Sequence, residues 1–326
     1  MYMTKVNQVN YLKRFQSIIG LLLLCIVLSF MTDRFLTTDN TLNILRQTAV
    51  NICIATGMTI VVLTAGIDLS VGSVLALCGA ITAGLLSKGI SIPFLDTYIG
   101  FTVFGVVLAG LLVGYAIGLF NGFFITRFKV PPFVATLAML TIGRGLTMLY
   151  THGQPISNLG TEFDFIGTGS LVGLPVPVWI AAVVVLLAIF LMKKTKFGRY
   201  VYAIGGNKTA ARFSGINISK VTMITYAIAG ACAGIAGVIV TSRLDSAQPN
   251  AGVSYELDAI AAVVIGGASL NGGRGTIWGT VIGALIIGVL NNGLVLLNVS
   301  PFWQQVVKGS VILLAVVVDK IGHKED

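Results

Sequence analysis

Long apolar segments, separated by short polar stretches, run through the whole chain. A helix needs about 20 apolar residues to cross the hydrocarbon core of a bilayer, so the pattern predicts an all-α integral membrane protein with about ten transmembrane helices. The eighth segment is too short to cross alone at about 1.5 Å per residue, and we expect a half-helix or a broken helix there. The apolar segments lie near residues 17–31, 43–65, 70–87, 97–125, 131–151, 176–192, 218–241, 257–267, 276–297 and 303–319.

Composition supports a lipid environment. The chain has 326 residues, of which 56% are hydrophobic and 10% charged, whereas soluble domains carry about 25% charged residues. We therefore expect residues 1–326 to form a single transmembrane domain. The first apolar segment could be a signal peptide, but Asp33-Arg34-Phe35 follows it instead of a small-residue cleavage site, which indicates a retained anchor.

Charge is distributed unevenly between the two faces that alternate along the chain. The formal net charge of +9 need not indicate nucleic acid, because basic residues of membrane proteins collect on the cytoplasmic side. This bias predicts an even number of spans, with both termini and the 193–220 loop in the cytoplasm. The basic face collects Lys5, Lys13, Arg14, Arg127, Lys129, seven basic residues of 193–220, Arg274, Lys320 and Lys324; the other face collects Asp33, Arg34, Asp39, Lys88, Asp96, Glu162, Asp164, Arg243, Asp245 and Glu256.

Candidate catalytic and metal-binding groups are sparse. The four cysteines lie inside apolar segments without metal-ligand spacing, which favours small core residues. His152 and His323 fall in loops on opposite faces. We therefore expect neither an enzyme nor a metal site.

The sequence Gly205-Gly206-Asn207-Lys208-Thr209 resembles the end of a phosphate-binding loop. It lacks the glycine directly before Lys-Thr, the upstream glycine and a strand-to-helix turn. The chain is therefore expected to bind no nucleotide itself.

Glycines form a stripe in the fourth apolar segment, at spacings of four or five residues. Small residues let helix backbones approach closely in lipid. Packing within one subunit is the favoured interpretation over a dimer interface. The stripe consists of Gly105, Gly110, Gly114, Gly118 and Gly122.

Two glycine-rich stretches, 64–73 and 265–274, bring polar groups to membrane depth. They share glycine and leucine positions when offset by 201 residues; local convergence is slightly favoured over duplication, although interrupted segments of this kind point to transport pathways. The candidate pathway residues are Asp68, Ser70, Ser269 and Asn271.

Three charged residues within the apolar segments have alternative interpretations. For Asp68 a helix cap is favoured, with Asp68 or Ser70 capping a helix that begins near Val71. Arg144, expected in the inner half of its span, could snorkel or pair with Asp68. Lys308 could bind a carbonyl group or a partner helix.

The longest polar interruption, 193–220, includes a loop at about 193–217 that contains Asn207–Arg212 with good helix formers. Asn207 is a possible cap and Gly215 a stop. We expect a short helix at the membrane surface that docks another protein. The alternative is a basic loop that fixes topology and touches anionic lipid.

Four segments resemble the permease subunits of bacterial ABC sugar importers, in the branch that includes ribose permeases. They are GMTIVVLTAGIDLSVGS (57–73), FGRYVYAIGGNKTAARFSGI (197–216), SAQPNAGVSYELDAIAAVVIGGASLNGGRG (246–275) and NNGLVLLNV (291–299). The resemblance covers nearly the whole chain. It implies the vitamin B12-permease-like (type II) fold and a homodimer.

The resemblance also implies a cytoplasmic ATPase subunit with two nucleotide-binding cassettes, which would bind ATP and Mg, so that this chain needs no cofactor. The ATPase would dock on a coupling helix whose Ala-Ala-x-x-x-Gly core matches Ala210, Ala211 and Gly215. The glutamate that usually opens this motif is absent, and Thr209 precedes Ala210. The implied docking residues are Gly206, Asn207, Lys208, Thr209, Ala210, Ala211, Arg212, Phe213, Ser214 and Gly215.

A periplasmic ribose-binding protein would dock on the outer face. The expected function is ATP-driven import of ribose or a related sugar across the bacterial inner membrane. The alternatives are an ion-coupled secondary sugar transporter, for which only Asp68 supplies a buried carboxylate, and a membrane scaffold without transport activity. The candidate docking residues for the binding protein are Asp33, Arg34, Glu162, Asp164, Arg243 and Asp245.

Overall fold

A computed structural model describes residues 2–92 and 97–322, with side chains described for 17–90, 98–314, 316 and 317. The helices are α1 (Tyr2–Met31), α2 (Thr38–Leu63), α3 (Val71–Lys88), α4 (Val103–Arg127), α5 (Pro132–Thr151), α6 (Thr161–Thr168), α7 (Val176–Lys194), α8 (Lys196–Gly206), α9 (Lys208–Phe213), α10 (Ile218–Arg243), α11 (Tyr255–Ile265), α12 (Ile277–Leu296) and α13 (Pro301–Gly322). The short strands are β1 (Ile90–Ile92), β2 (Thr97–Ile99), β3 (Ile156–Ser157), β4 (Ser170–Leu171), β5 (Leu174–Pro175) and β6 (Ser246–Ala247).

Each predicted apolar segment coincides with a helix. Within the described residues, seven helices (α2, α3, α4, α5, α7, α10 and α12) are long and apolar enough to cross a membrane, fewer than the ten predicted. The predicted half-helix is confirmed, because α11 has 11 residues and so is only about 16 Å long. The predicted charges Lys5, Lys13, Arg14, Asp96, Lys320 and Lys324, and also His323, lie outside the described side chains.

Helices α1 and α2 begin before the predicted apolar segments, whereas α4 begins after the start of its segment. The span predicted at 97–125 begins as a helix only at Val103, after Thr102, whose side chain accepts a hydrogen bond from Gly105 N. Thr97–Ile99 instead pairs antiparallel with Ile90–Ile92. The apolar residues of β2 extended the hydropathy signal ahead of α4, and the all-α prediction missed the short strands.

Helix α10 lies at the centre of the bundle and packs against α2, α3 and α4. Along α4, Gly114 lies against the backbone of Gly230, Gly118 against Tyr226 and Ala227, and Gly122 against Met223. A Cβ atom at any of these α4 glycines would collide with α10 backbone, so the predicted packing within one subunit is confirmed. Gly105 takes no part in it and approaches only Thr102 and Phe101.

The segments that follow α5 and α10 form one surface layer at the end of the bundle. Strands β3 and β6 pair, with Ile156 opposite Ala247 and Ser157 opposite Ser246. The Ser242 hydroxyl at the end of α10 donates to the carbonyl of Phe163 and accepts from Gly167 N, which fixes α6 on α10. The chain then continues without helix from 248 to 254 before α11 begins.

Candidate functional site

The short helix α9 has the cap and the stop that the sequence predicts. The Asn207 side chain accepts a hydrogen bond from Ala210 N at 2.9 Å. At the other end Gly215 adopts a φ of 79°, and Gly215 N and Ile216 N donate to the carbonyls of Arg212 and Ala211. This left-handed glycine satisfies carbonyls that a helix end would otherwise leave unpaired. Of the candidate docking residues, Gly206, Asn207, Ser214 and Gly215 therefore flank the helix.

One side of α9 anchors it and the other side is free. Ala211 is buried in a cluster with Met192, Val201, Ile204 and Val221. The other helical residues are exposed, and Phe213 is 87% exposed. Phe213, at the end of this basic surface helix, belongs to no hydrophobic cluster of the described residues. The outward side consists of Lys208, Thr209, Ala210, Arg212 and Phe213.

The end of α8, directly before α9, packs by its main chain against the main chain at the end of α2 and in the turn between α11 and α12. Gly205 lies against the carbonyl oxygen of Leu63, at the end of α2, and against the backbone of Gly273. Gly273 N donates to that Leu63 oxygen at 3.0 Å, and the Tyr202 hydroxyl donates to Gly275 O at 2.9 Å. We call Leu63, Gly205 and Gly273 the backbone junction. It connects α8 to both glycine-rich stretches.

Asp68 and Ser70 form a buried polar group beside α4. Asp68 Oδ1 accepts from Ser70 N at 2.9 Å and from the Ser70 hydroxyl at 2.6 Å, and the Asn121 amide donates to Ser70 Oγ at 2.9 Å. Helix α3 does begin at Val71, but the favoured capping interpretation is wrong. Ser70 makes no side-chain cap bond, and Asp68 bonds only the residue that precedes the helix.

The other two pathway candidates lie in a different environment. Ser269 and Asn271 belong to the turn between α11 and α12, in which Asn271 N donates to Ser269 Oγ at 3.3 Å. Ser269 is buried and Asn271 is exposed. The next residue, Gly272, lies against Ala65 and Gly205. The two glycine-rich stretches thus meet each other at the backbone junction.

Arg144 does not pair with Asp68. Its Nη1 donates to the carbonyls of Pro249 and Ala251 at 2.7 and 2.9 Å. It is the thirteenth of 20 residues in α5, about 10 Å before the helix end that leads to β3 and α6, and the inner-half position stays a prediction that depends on the orientation of α5 in the membrane. Its carbonyl partners come from a segment more than 100 residues further along, which local sequence cannot reveal.

Glu256 stands near Arg144, and Asp258, which falls inside the predicted segment 257–267, stands near Glu256. Glu256, predicted on the outer surface, lies in the first turn of α11 over the Cα atom of Gly72 and interacts electrostatically with Arg144 and Asp258. Asp258, 3% exposed, accepts from Lys308 at 3.0 Å and from the Asn291 amide at 3.4 Å. The Lys308 partner is therefore a carboxylate within the same chain.

These residues show that Asp68 is not the only carboxylate available at membrane depth. The expectation that a secondary transporter would have only Asp68 as a buried carboxylate is therefore wrong. The acidic residues three and one positions before an alanine-rich apolar run, in Glu256-Leu257-Asp258-Ala259, were a signal that could have placed Glu256 on the half-helix together with Asp258. We call Arg144, Glu256, Asp258 and Lys308 the charged row.

The outer docking candidates separate into two groups. Asp164, on α6, lies near Asp245. Burial raises the pKa of Asp164, and the negative charge of the Asp245 carboxylate raises it further. Asp245 also accepts from Leu159 N at 2.7 Å. Glu162 and Arg243 flank this pair on α6 and α10, whereas Asp33 and Arg34 are exposed in the link between α1 and α2, next to a separate cluster that contains Leu28 and Val289.

Comparison with known proteins connects this architecture to membrane transport. The chain is 50% identical over 315 residues to the ribose import permease protein RbsC of Haemophilus influenzae, covering 95% of this chain and 94% of the relative. It is 51% identical over 304 residues to RbsC of Bacillus subtilis (93% and 91%), and 42% identical over 298 residues to the D-allose transport system permease protein AlsC of Escherichia coli (91% and 88%).

No solved structure matches the chain. The family model described as "Branched-chain amino acid transport system / permease component" matches residues 40–316. That match covers most of the described helices, from the start of α2 to α13, and includes α9, the backbone junction and the charged row. The chain is a transporter subunit rather than an enzyme, and it belongs to the family of branched-chain amino acid transport system permease components.

Proposed function

We propose that the chain is the permease subunit of an ATP-driven ABC importer for ribose, delivered by a periplasmic sugar-binding protein. The observation that carries this proposal is 50% identity to a ribose import permease across 95% of the chain. The same similarity favours ribose over allose, for which the corresponding identity is 42%.

The proposed assembly contains two copies of the chain in the inner membrane, and its ATPase subunit binds ATP and Mg. The fold would be of the type II class, with α1, α11 and α13 completing ten membrane helices and with both termini cytoplasmic. Glu162, Asp164, Arg243 and Asp245 would contact the binding protein, with Asp33 and Arg34 at the edge of that surface. Asp68 and Ser70 would adjoin the sugar route, whereas Ser269 and Asn271, at the backbone junction, would serve coupling to the ATPase.

Uptake of labelled ribose tests this function. The chain is expressed, with its ATPase and binding protein, in a bacterium that lacks its own ribose permease, and uptake is measured at low ribose concentration. Uptake should require both partner proteins and survive collapse of the proton and sodium gradients, because ATP supplies the energy. Gradient-dependent uptake without the ATPase would instead support a secondary transporter, and no effect of the chain on uptake would support a scaffold.

Helix α9 is the proposed docking element for the ATPase, because Phe213 and the basic residues around it are exposed while Ala211 anchors the helix. Phe213→Glu should reduce copurification of the ATPase at least 10-fold and leave membrane insertion unchanged. Substitution of Ala211 is unsuitable, since a charge there would enter the cluster that holds α9. Asn217→Asp, on the same exposed loop beyond the helix, is the control, and normal copurification of the Phe213 variant would exclude α9 as the docking element.

A further inference from the structure

Four charged groups lie in contact or close succession across α5, α11 and α13. Asp258 and Lys308 form an ion pair at 3.0 Å, and Glu256 interacts electrostatically with both Asp258 and Arg144. Lys308 is the eighth residue of α13 and Arg144 is eighth from the end of α5. Each is therefore about 10 Å along its helix from the end that faces the outer segments, so the charged row lies well inside the bilayer.

The row is not sealed inside the protein. Arg144 and Glu256 are half-buried, and the Lys308 side chain is 24% exposed. A charge exposed to hydrocarbon is expensive, and charged residues within spans almost always face the bundle interior or a water-filled cavity. Arg144 could escape by snorkelling, yet its Nη1 is held by the carbonyls of Pro249 and Ala251. Its position is thus fixed at the depth of the row.

The segment 248–254 gives a second, independent argument. It has no helical structure, and Gly252 reaches the backbone of Gly72, at the start of α3. Gln248 and Asn250 are exposed along it, and Val253 is 58% exposed. Irregular backbone at membrane depth is tolerated only where it is buried in protein or lines a water-filled cavity. Within one chain, exposure of these residues at the depth set by Arg144 favours a water-filled cavity, whereas burial against a second copy would keep them from a water-borne reagent.

We propose that the charged row and segment 248–254 line the aqueous route for the transported sugar. The two cations and two carboxylates sum to no formal charge, so the route attracts neither anions nor cations strongly. It still offers donors and acceptors to a neutral, hydroxyl-rich solute. Asn291 Oδ1, buried beside Asp258 and without a hydrogen-bond partner in the described structure, adds an acceptor. This inference rests on the proposed function for the identity of the solute, but not for the presence of water.

Cysteine labelling tests whether water reaches the route. Val253→Cys and Leu257→Cys (45% exposed) are made in a Cys25→Ser background and treated with a membrane-impermeant, charged thiol reagent. The matched control is Leu187→Cys on α7, 63% exposed but distant in sequence from any charged side chain of the row. The route variants should react at least 10-fold faster than the control. Reaction of both at the rate of the control would overturn the proposal.

A second measurement tests the contact with sugar. Ribose supplied through the binding protein and ATPase should slow the labelling of Val253→Cys at least 3-fold. Glu256→Gln should lower ribose uptake at least 10-fold while copurification of the ATPase is unchanged; Asp39→Asn, at an exposed carboxylate in the first turn of α2, is the control. Unaltered uptake by Glu256→Gln together with unprotected labelling would overturn the sugar contact. Fast labelling of Val253→Cys, together with no ribose import by the wild-type chain, would refute the proposed function and leave the aqueous route standing.

Discussion

At the scale of single residues, glycine decides how closely the helices approach. Gly114, Gly118 and Gly122 place α4 against α10 with no side chain between the two backbones. In lipid, where no hydrophobic effect drives helices together, such contacts supply much of the association. Each of these positions should therefore be sensitive to the addition of even one methyl group.

Gly118→Ala should destabilise the protein by about 1–3 kcal/mol, the usual cost of overpacking a close-packed site. The new Cβ would collide with the carbonyl of Tyr226, which cannot move independently of α10. Thermal unfolding in detergent, followed by size-exclusion chromatography, measures the change. Gly105→Ala is the control, because its Cβ would meet only the Thr102 hydroxyl at 3.4 Å and Phe101, and equal midpoints for the two variants would contradict the packing argument.

The Asp258–Lys308 pair makes a second prediction at this scale. Lys308→Met alone should cost about 3–5 kcal/mol, because it leaves a buried carboxylate without its cation. The double variant Asp258→Asn with Lys308→Met should recover most of that loss, since no buried charge remains. Unfolding midpoints of the two single variants and the double variant give the coupling, and strictly additive effects would show that the pair contributes nothing.

At the scale of elements, the backbone junction connects the proposed docking helix to the membrane helices. Helix α9 packs against α8, and the last turn of α8 contacts Leu63 and Gly273 directly. The contacts are between main chains, so they cannot relax by rotation of a side chain. A small movement of α8 should therefore displace the end of α2 and the segment around Gly273 by a similar amount.

Gly205→Ala should reduce ribose uptake per inserted molecule at least 10-fold and leave copurification of the ATPase intact. The added Cβ would collide with the Leu63 carbonyl and separate the three segments. Gly206→Ala is a close control, because its Cβ would meet nothing within 4 Å. Uptake and membrane content are measured together, and normal uptake by the inserted Gly205 variant would argue against transmission through the junction.

Elements could be predicted from the sequence where the signal is local. Hydropathy located the long helices, and Asn207 and Gly215 marked the ends of α9. Arg243, Asp245 and Glu256 were assigned to the outer face because the sequence around them lacks an apolar pattern, although Glu256 lies in the first turn of α11, inside the bundle. The partners of Arg144 could not be predicted, because they depend on where a distant irregular segment comes to lie. Helices α6 and α8 are too short or too polar for a spanning signal.

At the scale of the whole molecule, the unequal charge of the two faces predicts orientation. The basic loop with α8 and α9 should face the cytoplasm, and the layer formed by α6, β3 and β6 should face outward. Val172, in the turn between β4 and β5, is 93% exposed and reports on the outer layer.

In intact cells or spheroplasts, Val172→Cys should react with an impermeant thiol reagent, whereas Ser214→Cys, beside α9, should react only after the membrane is opened. A fluorescent protein fused to the C-terminus should be bright, since such fusions fold in the cytoplasm. Reaction of Ser214→Cys from outside would reverse the proposed orientation.

Helix α9 has only six residues, far below the length at which an isolated helix is stable in water. It is nevertheless formed in the single chain, held by the Asn207 cap, the Gly215 turn and the burial of Ala211. Its conformational entropy is thus lost during folding of the permease and not again on association. A rigid, preorganised docking element lowers the ordering cost of binding, so a small contact area can suffice, and the ATPase can detach and return without the permease having to refold its contact helix.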